Sequence, residues 1–346
     1  MIVVLVAACG RLGFDSELGT DGSGSAGDAV DASAPVCGVA RRIGSIGTSD
    51  VRLALADTPG GAVISWVPVS GGAVTAVAVD PSWNTVASPV EVSSDATYMN
   101  VSAVWTDRLL LGHQSSNFLI RSVATNLASY DTESTLSGLM LQPAFVTTQG
   151  QWFSAYPEGT LIHTLHLATD GSYTGFNMQD TLAPAGTEPT RGSVAAQGNE
   201  LHIVWRTAPP QCWLTRYDVV NRTFLTSPNA LGPCDAITNS TLPDGGFSFA
   251  RLDNTTVTLS TGPVIPNAKV PRMIDDTQNL WITWLAADTG DLRAAYRAGG
   301  ADLVSLPISG LGSGAFDGPA VAIIDGRAEA VVAGAGELFH VPLCVP

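Results

Sequence analysis

Leu280-Trp281-Ile282-Thr283-Trp284 is the stretch that decides the fold, because it recurs. It is a short β-branched and aromatic run of the kind that forms a strand. Ala62-Val63-Ile64-Ser65-Trp66 and Leu201-His202-Ile203-Val204-Trp205 repeat its form. Four runs of similar shape lie between and after them: Leu109-Leu110-Leu111-Gly112-His113, Trp152-Phe153-Ser154-Ala155-Tyr156, Phe247-Ser248-Phe249-Ala250-Arg251 and Ala328-Glu329-Ala330-Val331-Val332. A repeat of roughly 40 to 50 residues built on such strands marks an array of small sheets. Pro143 precedes Tyr156, Pro271 precedes Trp284 and Pro319 precedes Val332 by the same interval, which holds the register.

Outward from each of these strands the pattern continues. Runs rich in small residues come before, at 51–56, 101–104, 193–196 and 319–323. Further strands come after, at 74–79, 118–123, 161–167, 213–219 and 257–260, followed by shorter ones such as 86–92 and 303–308. Turn formers punctuate the whole, among them Pro59-Gly60-Gly61, Asp170-Gly171, Gly198-Asn199 and Asp325-Gly326. Helical periodicity is missing after residue 36, so the class is all-β. Four strands per unit, the first of small residues, resembles the β-propeller superfamily, whose innermost strands crowd around an axis. Seven blades are expected, with six as the alternative, because the stretch 251–284 is short for a full unit. The sialidase-type Ser-x-Asp-x-Gly-x-Thr-Trp box and the Gly-His and Trp-Asp pair of WD repeats are both missing, so the resemblance reaches no named propeller family.

The last unit has only three strands, ending at 338–343, and residues 40–46 supply the fourth. That pairing brings Cys37 beside Cys344. Cys212 begins a third strand and Cys234 the next inner strand on the same face, so these two are expected to form the second disulfide. An even set of cysteines suits an oxidising compartment. No C-x-x-C spacing exists, and neither a metal nor another cofactor is expected.

Residues 2–8 are an apolar run far shorter than the roughly 20 residues that cross a bilayer. The run ends in Val6-Ala7-Ala8-Cys9-Gly10, which resembles the lipobox of bacterial lipoproteins, although no Lys or Arg lies between Met1 and the run. The resemblance implies a signal peptide over 1–8 and a lipid on Cys9. It also implies a place in the bacterial cell envelope, most simply the outer membrane of a Gram-negative cell. Residues 9–36 are Gly-, Ser-, Ala- and Asp-rich and read as a tether, leaving 37–346 as the propeller domain. Of the 346 residues 45% are hydrophobic and only 14% charged, and the formal net charge of −15 repels nucleic acid. The partners expected are the membrane through the lipid and a carbohydrate or envelope protein, with the chain itself a monomer.

Ligands of such folds sit where loops of several blades converge. By the strand register, Asp50, Asn100, Gln142, Arg191, Asp235, Arg272 and Asp317 stand at the starts of the inner strands and form one mouth of the channel. Asp50, Asp235 and Asp317 are the only candidates there for a pair of catalytic carboxylates. Trp83 and Trp213 fall outside the repeated aromatic position and are the candidates for an exposed stacking face. His113, His163, His166, His202 and His340 read as packing residues. No Gly-x-Ser-x-Gly elbow exists. The reading is therefore a binding propeller without evident catalysis, with a carbohydrate-active enzyme as the alternative.

Overall fold

Seven antiparallel sheets make up the domain in the computed structural model, which describes residues 36–48, 50–96, 98–105, 109–114, 118–123, 127, 130–136, 144–146, 149–158, 161–167, 173–176, 188–242, 244–298, 302–311 and 316–345. Blade 1 runs through Val51–Thr58, Gly61–Pro68, Gly72–Val79 and Val90–Ala96. Blades 2 to 6 begin with Tyr98–Trp105, Ala144–Val146, Glu188–Gln197, Ala236–Thr241 and Ala268–Asp275. Blade 7 begins with Phe316–Ile324 and continues through Arg327–Gly334 and Glu337–Leu343. Among the described residues, first strands lie against one another at six of the seven blade junctions, the exception being blades 2 and 3, and so surround the axis. The fold is a seven-bladed β-propeller.

Sheets stack face to face here, so the apolar residues of each blade are buried by its neighbours. Trp66 and Trp205 are both buried at such junctions. Trp66 packs with Val51, Leu53 and Ile64 of blade 1 against Ala320, Val331 and Leu338 of blade 7. Trp205 joins Phe153 and Ile162 of blade 3 to Ile203 and Tyr217 of blade 4. Large rings recur at one strand position because each fills the gap between two twisted sheets. Trp284 is half-buried, and the fully buried ring of blade 6 is Trp281, three residues earlier.

The prolines of the repeat have a backbone reason. Pro271 lies inside a break in register between Lys269 and Arg272, and Pro319 inside one between Asp317 and Ala320. First strands of blades 2 and 4 are broken at the equivalent place, between Tyr98 and Val101 and between Pro189 and Arg191. A β-bulge needs no ladder donor from its extra residue, so a residue without N–H fits there. Pro143 lies outside the described residues.

Blade 7 takes its fourth strand, Arg41–Ser45, from the start of the domain, and it pairs with Glu337–Leu343. A disulfide joins Cys37 to Cys344, with their Cα atoms 5.1 Å apart. Residues 38–40 also bond to Ser309 beyond blade 6, which ties that blade to the closure. The second disulfide, Cys212 to Cys234, links the third strand of blade 4 to the entry of blade 5. The outer edge of blade 4 is two short segments, Thr223–Phe224 and Asn229–Gly232, and that of blade 5 only Val264–Ile265.

Candidate functional site

Of the mouth expected from the sequence, the described side chains are those of Asp50, Asp235 and Arg272. Asp50 is exposed, with a left-handed backbone (φ 68°), and holds the neighbouring turn by accepting from the Val69 amide. Asp235 spends its Oδ2 on the backbone N–H of Asn254, 2.8 Å away, and so works as a turn cap. Arg272 follows the bulge of blade 6, half-buried, with Nη1 donating to the Pro271 carbonyl at 3.3 Å. Backbone register puts Asn100 within a bulge, Arg191 opposite Arg206 and Asp317 opposite Ala333; their side chains and the whole of Gln142 lie outside the described residues.

Of the two tryptophans singled out for stacking, Trp83 is covered and Trp213 half-buried. Trp83 is 7% exposed and its indole stacks on the imidazole of His340, centroids 3.7 Å apart and planes 12° from parallel. Trp213 is half-buried beside Trp205 and donates from Nε1 to Thr207 Oγ1 at 3.4 Å. Position in a loop suggested exposure for Trp83. The loop instead folds inward, because its ring can cover the open side of blade 7.

That loop builds the richest polar site among the described residues, at the opposite end of the blades from the expected mouth. Residues 80–84 link the third and fourth strands of blade 1. The Asp80 carboxylate caps them, accepting at Oδ1 from the Ser82 and Asn84 amides and at Oδ2 from the Asn84 side chain. These bonds, the Asn84 side chain first, hold the Asp80 carboxyl below the usual carboxylate range. Trp83 adopts a left-handed backbone (φ 62°), which a bulky residue rarely tolerates unless its surroundings compensate. The stack on His340 supplies that compensation. Arg41, from the strand completing blade 7, donates to the Ser82 carbonyl and the Asn84 side chain, clamping the loop from the other side.

Beneath the loop, His340 Nε2 donates to Glu329 Oε2 at 2.7 Å, and both side chains are buried. His340 pairs across the ladder with Val331, two residues from Glu329, so the two share one face of blade 7. A carboxylate buried this far needs a charge-assisted partner, and the imidazole provides it. Glu329, Trp83, Asp80, Pro81, Asp325, Arg327, Ile324, Gly61 and Ala62 line a cavity of about 50 Å³ between blades 7 and 1. The sequence contained one sign of it, a lone glutamate within an alanine and valine strand. His340 is a buried packing residue, as its sequence setting suggests, and it also has a carboxylate partner from the adjacent strand.

Close to this cleft the inner-strand ends carry further acid. Burial raises the Asp57 carboxyl, and the charge of Asp325 adds to the rise while backbone N–H bonds oppose it. Gly61, at the cavity wall, is required by its own blade's backbone. Its φ is 134°, and a Cβ there would stand 2.1 Å from the Val79 carbonyl oxygen. Gly61→Ala is expected to cost about 2 to 3 kcal/mol through backbone strain and displacement, read as a shift in denaturant midpoint.

His202 is a different kind of buried histidine. It stacks on Phe247, centroids 4.2 Å apart, and neither ring nitrogen has a hydrogen-bond partner among the described residues. Burial, with help from the Arg216 charge and against that of Glu200, lowers its pKa to about 4 from 6.5. The unfolded chain thus takes up a proton near pH 6.5 that the folded ring refuses until about pH 4. Stability is expected to fall as pH drops through that window and to level off below it. His202→Phe should flatten the loss, measured as urea midpoints at pH 7 and pH 4.5; an equal acid loss in the variant would assign it to other groups.

No protein-family model matches the chain, and no curated protein matches its sequence. Its fold is similar to solved structures. Hydrazine synthase of Kuenenia stuttgartiensis aligns over 92% of this chain and 100% of that one, with a TM-score of 0.58 and 12% identity. Polysaccharide lyase Uly1 aligns over 87% and 91%, with a TM-score of 0.55 and 11% identity. The β-propeller domain of Cps50 (Swd1) from Myceliophteria thermophila aligns over 88% and 100%, at 0.55 and 13% identity. At these identities the likeness is one of fold.

Proposed function

We propose that this chain is an exported lipoprotein that carries a ligand- or partner-binding propeller at a bacterial cell envelope, anchored through a lipid on Cys9. One observation carries the reading: of five cysteines, four are paired in the two disulfides, and the remaining one is Cys9, inside the Val6-Ala7-Ala8-Cys9 motif. Structural disulfides of this kind belong to oxidising compartments. The anchor then sits on the outer membrane of a Gram-negative cell, with residues 10–36 as the spacer. Among the described mouth residues, Asp235 serves as a turn cap, which favours binding over acid–base catalysis. A carbohydrate polymer of the envelope is the first ligand class to test, since the same fold supports a polysaccharide lyase at low identity.

Intact-mass spectrometry of the membrane-extracted protein tests the anchor. Cleavage before Cys9 with an added acyl mass is expected; a retained Met1 and an unmodified Cys9 would overturn it. Incubating the purified domain with envelope polysaccharides separates the two functional readings. Retention without chain shortening supports binding, whereas accumulating oligosaccharide products would establish the enzyme.

A further inference from the structure

The cleft between blades 7 and 1 is selective in its chemistry. Its floor is Glu329, 5% exposed, with Oε2 taken by His340. The other carboxylate oxygen, Oε1, has no hydrogen-bond partner among the described residues, and the side chain lines the cavity. Asp80 and Asp325 stand at the rim with Arg327, and Arg41 lies beside Asp80, so with Glu329 three carboxylates face two guanidiniums and negative charge prevails. Pro81, Ile324 and the Trp83 ring supply apolar wall. The space, about 50 Å³, is small and suits a compact head group.

A group with donors only, a positive charge, a compact head and a slender apolar stem matches every wall. We propose that the cleft receives a primary ammonium on an alkyl stem, its head donating to Glu329 Oε1 and its stem lying along Trp83 and Ile324. An ammonium has three donors and no acceptor, which suits a carboxylate floor, and an indole wall adds attraction for the cation. A free alkylamine and the lysine side chain of a partner protein share this chemistry. The inference names a ligand for the binding function proposed above, and it is tested separately from it.

The probe is n-butylammonium chloride, titrated into the full chain while the Trp83 indole N–H resonance is followed by NMR, that signal being assigned by its loss in Trp83→Phe. A saturating shift at millimolar concentration is expected, with none from n-butanol, which has no charge, or from tetramethylammonium, which has no N–H to donate. Glu329→Gln keeps an acceptor for His340 and removes the charge, and it is expected to weaken the shift at least tenfold. Should that variant not fold, Arg327→Ala, which removes a competing cation, is expected to tighten binding several-fold. No saturation, an equal response to n-butanol, or unchanged affinity in the folded variants would overturn the proposal. N-acetyl-lysinamide tells the sources apart: its binding assigns the cleft to a partner's lysine, and binding of n-butylammonium alone assigns it to a free amine. Failure of every amine to bind leaves the acyl mass and polysaccharide retention untouched, so the broader reading stands or falls on its own measurements.

Discussion

Cys37→Ser together with Cys344→Ser is expected to lower stability by about 5 to 6 kcal/mol, the chain-entropy value for so long a loop. The bridge spans 307 residues, and loop entropy grows only with the logarithm of length. The two cysteines flank the closing strand pair of blade 7, so the bond stops Arg41–Ser45 from peeling off Glu337–Leu343. Cys212→Ser with Cys234→Ser, spanning 22 residues, is expected to cost closer to 3 kcal/mol. Urea unfolding of both double variants gives the comparison, and hydrogen exchange should show the faster opening at residues 41–45 in the first. If the shorter bridge proves the more costly, ring closure is not what the long one protects.

Glu329→Ala is expected to cost about 3 to 5 kcal/mol, because it leaves the buried His340 imidazole without its partner. The same loss should follow His340→Ala, which also removes the support under Trp83. Replacing both partners by apolar residues, as in Glu329→Met with His340→Phe, is expected to recover most of it, since a buried pair costs much of its attraction in desolvation. A double-mutant cycle measures this directly. Additive losses from the two single variants would mean that the pair is not an energetic unit. Retained stability in the apolar double variant, combined with loss of amine binding, would separate the role of Glu329 in the cleft from its role in folding.

Strand pattern and closure were legible because they depend on periodicity. Residues such as Ile64 and Trp66, or Ile203 and Trp205, alternate in a way that any packed sheet imposes, whatever its neighbours. The proline interval was readable for a similar local reason, since a residue lacking N–H is confined to places where the ladder is broken. Cys37 and Cys344 could be paired because the last blade lacked a strand that the start of the domain supplied.

The polar site was not legible in the same way. Its members come from the turn before Gly61, the 80–84 loop, the 324–327 hairpin and a strand holding His340, and nothing in local sequence announces that these meet. The starts of the inner strands, where the candidate residues were sought, lie at the other end of the blades from this cleft. Trp83 looked exposed because loops usually are, yet the Asp80 cap and the His340 ring together turn it inward.

By itself, then, the amino-acid sequence determined the all-β class, the repeat, the closing strand and the cysteine partners, because each follows from spacing along one chain. Tertiary structure alone decided that Glu329 faces His340 and that their cleft opens between the last blade and the first. The physical reason is that a buried carboxylate takes its partner from whichever strand packs beside it, and that neighbour is chosen by the ring.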